Sequence, residues 1–106
     1  MKLVLAGEGA IARRHAAALD RIDGVEIASV AGGNPDDTAA FATEIGAPHH
    51  TLYLAEALAL PGIDAAILTT PTQLHARQAI QVMDAGKHVL VEIPMADDLA
   101  DAEAVV

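Results

Sequence analysis

Cysteine is absent from these 106 residues, which removes disulfides and thiolate metal sites and agrees with a cytoplasmic location. Aromatic side chains are almost as scarce, at 2% of a chain that is 53% hydrophobic. The core must therefore be filled by Ala, Val, Ile and Leu. Such a core suits a parallel sheet covered by helices better than a sandwich or a barrel. Positive charge is sparse as well: six Lys plus Arg stand against fifteen Asp plus Glu, a net charge of −9. Nucleic acid and anionic membranes attract proteins through basic patches, so this balance argues against both as partners. No apolar run approaches the roughly 18 residues that a membrane span needs. Met1 and Lys2 lead straight into the first apolar run, so no secretory leader is expected. The expectation is one domain over residues 1–106.

What is present is an alternation of apolar strands and helical patterns, as repeated βαβ units require. Strands are expected at Lys2–Ala6, Val25–Ala31, a short edge segment Ala47-Pro48-His49-His50, Ile63–Thr69 and His88–Val91. The first helix, Ala10 to Arg21, is expected to turn Ile11, His15, Leu19 and Ile22 inward. Asn34 has the character of an N-cap, with Pro35 in the first turn and Asp36 and Asp37 at the positive end of the helix. That helix should carry Phe41, Ala42 and Ile45 inward and stop at Gly46. Leu54, Ala57 and Leu58 suggest a short helix ended by Pro61-Gly62, and Ala76, Ala79, Ile80 and Met83 mark the inner face of a longer one. Asp97 or Asp98 would cap a last helix with Leu99, Ala102 and Val106 on its apolar side. It is still in mid-pattern at Val106, as if the chain continued.

Right-handed crossovers predict an α/β fold, a Rossmann-like doubly wound parallel sheet of about five strands in the order 3-2-1-4-5. All strand C-termini then line one edge, where open α/β sheets bind ligands. The most informative stretch lies on that edge: Gly7-Glu8-Gly9-Ala10-Ile11-Ala12, directly after the first strand. Gly7 permits the tight turn, Gly9 keeps side-chain bulk away from a pyrophosphate, and Ala12 lets the helix pack close to the strand. Free amides from Gly9, Ala10 and Ile11 at the positive helix end would then hold the phosphates. A tight strand–helix turn without a ligand is the plainer alternative.

Three stretches together resemble the Gfo/Idh/MocA oxidoreductases, named for glucose–fructose oxidoreductase, inositol dehydrogenase and a rhizopine-catabolism protein. They are Gly7–Ala12, Thr70-Pro71-Thr72-Gln73-Leu74-His75, and Ala85-Gly86-Lys87-His88-Val89-Leu90-Val91-Glu92-Ile93-Pro94. The resemblance implies an N-terminal NAD(P)-binding domain, followed by a second α/β domain that binds the small-molecule substrate and mediates homo-oligomer formation. One departure stands out. The family's usual Glu-Lys-Pro block reads Glu92-Ile93-Pro94 here, and Ile93 can neither carry charge nor donate a hydrogen bond. This block, with Met95-Ala96-Asp97 after it, is similar to a branch that includes 4-carboxy-2-hydroxymuconate-6-semialdehyde dehydrogenase, which implies NADP and a hemiacetal substrate.

On this reading Thr70, Pro71 and Thr72 contact ribose or nicotinamide, Glu92 accepts from ribose hydroxyls, and Pro94 completes the site. His75 either joins the cofactor site or holds the loop through a backbone carbonyl. His15 is better explained as a core histidine. His49 and His50 are adjacent, so their side chains diverge, and with no third ligand spaced to join them no metal site is expected. NAD-selective Rossmann domains place an acid at the end of strand two to bind both ribose hydroxyls. Here that position falls among Ala31, Gly32 and Gly33, which favours NADP over NAD, with the Gly32, Gly33 and Asn34 amides receiving a 2′-phosphate. Asp36 and Asp37 count against this. No Lys or Arg lies in the segment directly after strand two, so any cation would come from Arg13 or Arg14. A non-catalytic nucleotide-binding or regulatory module is the competing reading of the whole chain.

Overall fold

A computed structural model describes residues 1–70 and 72–91. The elements run β1 (Lys2–Ala6), α1 (Ala10–Leu19), β2 (Glu26–Ala31), α2 (Pro35–Ile45), β3 (His49–Thr51), α3 (Leu54–Leu58), β4 (Ile63–Leu68), α4 (Thr72–Asp84) and β5 (His88–Val91). The strands form a sheet in the order β3-β2-β1-β4-β5, and every pairing is parallel. The expected architecture and strand order are those observed. The expected last helix, with Leu99, Ala102 and Val106, lies outside the described residues.

Strand alternation divides the core into two layers, because successive side chains leave a strand on opposite faces. Leu3 and Leu5 pack with Ala12, Ala16, Val30, Phe41, Ala42 and Ile67 under α1 and α2. Val4 and Ala6 pack on the other side with Leu54, Leu58, Ala66, Leu68, Ala79 and Val82 under α3 and α4. Phe41 is fully buried. The lone Tyr53 is 69% exposed, so nearly all of the packing is aliphatic.

Local chemistry explains the α2 boundaries. The Asn34 side chain accepts from Asp37 N–H at 2.9 Å, and Pro35 occupies the first turn. Gly46 closes the helix in the left-handed region at φ 75°. The α1 and α4 faces differ from expectation. Ala12 and Ala16 are the buried residues of α1, Leu19 is partly buried, and Ile11 and Ile22 are exposed. On α4 the buried positions are His75, Ala79 and Val82, while Ile80 and Met83 are largely exposed. On α1 the small residues Ala12 and Ala16 fill the buried contact, and on both helices bulkier neighbours turn outward. The edge strand begins at His49, later than expected, because Pro48 lacks the N–H needed for the ladder.

Candidate cofactor site

At the C-terminal edge of the sheet, hydrogen bonds continue past the strands and hold the loops in place. Gly7 N–H donates to Ala31 carbonyl at 2.7 Å, Thr69 N–H to Ala6 carbonyl at 2.8 Å, and Gly32 N–H to Thr51 carbonyl at 3.0 Å. The Thr69 hydroxyl adds a second bond to Ala6 carbonyl at 2.7 Å. Gly7 has φ +119°, and a Cβ there would collide with Thr69 Oγ1 and approach its carbonyl to 3.2 Å. Only glycine satisfies both the backbone angle and the close approach. Gly9 is different: it is extended at φ −90° and ψ −166°, and a Cβ would meet nothing within 4 Å. Its missing side chain leaves open space directly before the first turn of α1.

That space belongs to a cleft of about 860 Å³ lined by Gly7, Glu8, Gly9 and Ile11 from the first loop and Ala31, Gly32 and Gly33 from the end of β2. Leu52 and Leu54 line it after β3, and Thr69, Thr70, Leu74, His75 and Gln78 after β4. The cleft joins an apolar margin to backbone amides at the start of a ten-residue helix, a surface fitted to a nucleotide carrying phosphates. A smaller hollow of about 490 Å³ lies between α1, β2 and α2, away from the glycine loop.

Of the residues singled out in the sequence, Gly7, Gly9, Ile11, Gly32, Gly33, Thr70 and His75 meet on this cleft. Ala10 opens α1 beside it, and Asn34 caps α2. Thr72 begins α4. Pro71, Glu92 and Pro94 lie outside the described residues. His75 is 3% exposed, and its Nε2–H donates to the Thr70 carbonyl, while the Thr70 hydroxyl bonds Gln78 Oε1. This histidine therefore holds the β4–α4 loop, one of the two roles expected of it. Among the described residues no group of three or more His, Cys, Asp or Glu could hold a metal ion. No helix among them is long and apolar enough to cross a membrane.

Two features escaped the sequence reading. Leu52 and Leu54 form the apolar margin of the cleft. Glu8, the variable residue between the two glycines, reaches the end of β2, where both carboxylate oxygens accept from Gly33 N–H at 3.2 Å. The amides expected to receive a 2′-phosphate are thus partly engaged: Gly33 by Glu8, and Gly32 by Thr51. Arg13 is engaged too. Its guanidinium pairs with Glu44 at 3.2 Å, lies 5.0 Å from the Phe41 ring centre and donates to Glu8 carbonyl at 3.0 Å.

Residues 1–106 match the family model described as an oxidoreductase family with an NAD-binding Rossmann fold, GFO_IDH_MocA. The chain belongs to the Gfo/Idh/MocA oxidoreductases and is an NAD(P)-binding domain of that family. It is 53% identical over 105 residues to 4-carboxy-2-hydroxymuconate-6-semialdehyde dehydrogenase of Sphingobium sp. strain SYK-6, a match covering 99% of this chain and 33% of that enzyme. Among solved structures, the WlbA dehydrogenase of Bordetella pertussis in complex with NADH and UDP-GlcNAcA superimposes with a TM-score of 0.91 at 34% identity, covering 99% of this chain and 30% of that one. Biliverdin reductase of Synechocystis sp. PCC 6803, in complex with biliverdin and NADP+, gives 0.89 at 28% identity, covering 98% and 33%. The chain thus spans about a third of the length of each of these proteins.

Proposed function

We propose that these residues bind the dinucleotide of an NAD(P)-dependent dehydrogenase whose substrate carries a hydroxyl or hemiacetal carbon. The observation that carries the reading is the glycine loop. Gly7 is locked against Thr69, and Gly9 opens onto the cleft at the head of α1. When bound, the nicotinamide supplies the hydride-accepting centre. The chain's own part is to fix the pyrophosphate on the first-turn amides of α1 and to offer the adenosine the apolar margin after β3, where Leu52 lines the cleft. The His75-braced Thr70 loop shapes the nicotinamide end. A substrate hydroxyl must also give its proton to a base. Ile93 stands where the family resemblance implies a lysine, so proton transfer falls to residues other than position 93. The 53% identity to the muconate semialdehyde dehydrogenase supports a semialdehyde or hemiacetal-type substrate. A cytoplasmic enzyme and a homo-oligomer belong to the same proposal, on the cysteine-free composition and the family resemblance.

The relatives hold either dinucleotide, NADH in one structure and NADP+ in another. The acid-free end of β2 supports NADP. The Glu8 carboxylate seated there weighs the other way. Calorimetric titration with NADH and NADPH tests the reading, with binding of at least one of them expected. A chain that binds neither, and whose melting temperature neither raises, is no dinucleotide domain. The Ile93 departure also favours a second reading, a nucleotide-responsive module without turnover. A full-length protein that bound dinucleotide but reduced none with any hydroxyl or hemiacetal substrate would establish it.

A further inference from the structure

We propose that Glu8 reads the 2′ position of the adenosine ribose and makes NAD the preferred dinucleotide. The inference rests on the reading of the cleft as a dinucleotide site and narrows it. In NAD-selective Rossmann domains an acid at the end of strand two accepts from the ribose hydroxyls. Here β2 ends in Ala31, Gly32 and Gly33, none of which can supply that acid. The carboxylate arrives from the neighbouring loop instead.

The register explains how. Ala6 of β1 pairs with Ala31 of β2 in a parallel ladder, so Glu8 and Gly33, each two residues further on, emerge side by side. Glu8 is half-buried, and its two oxygens share the Gly33 N–H at 3.2 Å. Gly32 makes room for it, since a Cβ there would lie 2.7 Å from Glu8 Oε2 and would collide with Thr38 Oγ1. Thr38 is fully buried, and its hydroxyl has no hydrogen-bond partner among the described residues. An unspent donor thus faces the same point beside Gly32 as the carboxylate does.

A carboxylate has lone pairs left after accepting one N–H, and a ribose hydroxyl can donate to them. A 2′-phosphate can donate nothing useful there and brings a second negative charge against the first. The surroundings offer it no compensation. Asp37 lines the same cleft, whereas no Lys or Arg does so among the described residues. Arg13 is held by Glu44 and Phe41. The Asp37 N–H, which could otherwise face an anion, is capped by Asn34. The acid-free β2 is therefore not a phosphate site, because its acid comes from the glycine loop.

The test is calorimetric titration of the chain and its Glu8→Gln and Glu8→Ala variants with NAD+ and NADP+ at equal ionic strength. Titrations with ADP-ribose and its 2′-phosphate isolate the adenosine end. Like charges brought together in a site suppress the wrong ligand strongly, so NAD+ should bind at least about tenfold tighter than NADP+. ADP-ribose should show the same ratio over its 2′-phosphate. Both variants should narrow that ratio to within about threefold, mainly by gaining affinity for the phosphorylated ligands. NADP+ binding as tightly as NAD+ to the unaltered chain would overturn the inference and leave the dinucleotide reading standing. So would variants that fold, by their melting curves, and keep the ratio. If the variants fail to fold, the ratio in the unaltered chain decides. Absence of binding by all four ligands would overturn both readings together.

Discussion

Replacing Gly7 with alanine separates the two jobs of the glycine loop. The new Cβ would sit on a backbone at φ +119°, where L-residues are strained by about 1–3 kcal/mol. It would also displace Thr69 Oγ1 and press on the Thr69 carbonyl 3.2 Å away. Overpacking of that kind costs about 1–3 kcal/mol, and the Thr69–Ala6 hydrogen bond that breaks contributes about 0.5–1.5 more. Because these effects share one displacement, they combine to about 3–5 kcal/mol, a large part of a typical domain stability of about 5–15. With a urea slope of about 2 kcal/mol/M, the unfolding midpoint should fall by about 2 M. Gly9→Ala is the control. Its backbone is extended and its Cβ meets nothing within 4 Å among the described residues, so the stability should change by no more than about 0.5 kcal/mol. Dinucleotide affinity should nevertheless fall about tenfold or more, because the methyl group separates the pyrophosphate from charge-assisted amide bonds. Circular dichroism in urea and calorimetry give both quantities. A Gly7→Ala protein as stable as the parent, or a Gly9→Ala protein that binds as tightly as the parent, would refute the division of labour.

Asn34→Ala should lower stability by about 1 kcal/mol through loss of the α2 cap, and Asn34→Asp should recover most of it; thermal melting, with a fall of about 4–8 °C, checks both. The 106 residues alone should reduce no dinucleotide with hydroxyl or hemiacetal substrates, and any absorbance change above a buffer blank would contradict this. β5 has no further strand beside it among the described residues, and Leu90 on it is 54% exposed. Self-association is therefore expected, and a constant monomer mass in concentration-dependent light scattering would exclude it.

The parts of this fold that were legible in the sequence are those with a local cause. Apolar runs bounded by glycine marked the strands, handedness fixed their order, and the Asn34-Pro35 and Gly46 signals bounded α2. Helix faces were less legible. Hydrophobic periodicity weights bulky residues, so on α1 it selected Ile11 where Ala12 and Ala16 are buried, and on α4 it added Ile80 and Met83 to the buried Ala79. The glycine loop was readable because its chemistry is local. Glu8 was not, since its partner Gly33 is distant in sequence and is brought beside it only by the parallel register of β1 and β2. Once that strand order is assumed, the residues following each strand can be paired in the same way, which is the signal that would have found it.

The backbone bonds from Gly7 to Ala31, Thr69 to Ala6 and Gly32 to Thr51 bear on how quickly a ligand is captured. They make the rim of the cleft a continuation of the ladder, so its opening is coupled to separation of the central strands. A dinucleotide arriving there should meet loops already tied to the strands, with little loop ordering to wait for. Encounter should then follow a single kinetic phase, with a rate that rises in proportion to ligand concentration. The amide protons of Gly7 and Thr69 should exchange with solvent as slowly as those of the strands they extend, with or without the nucleotide.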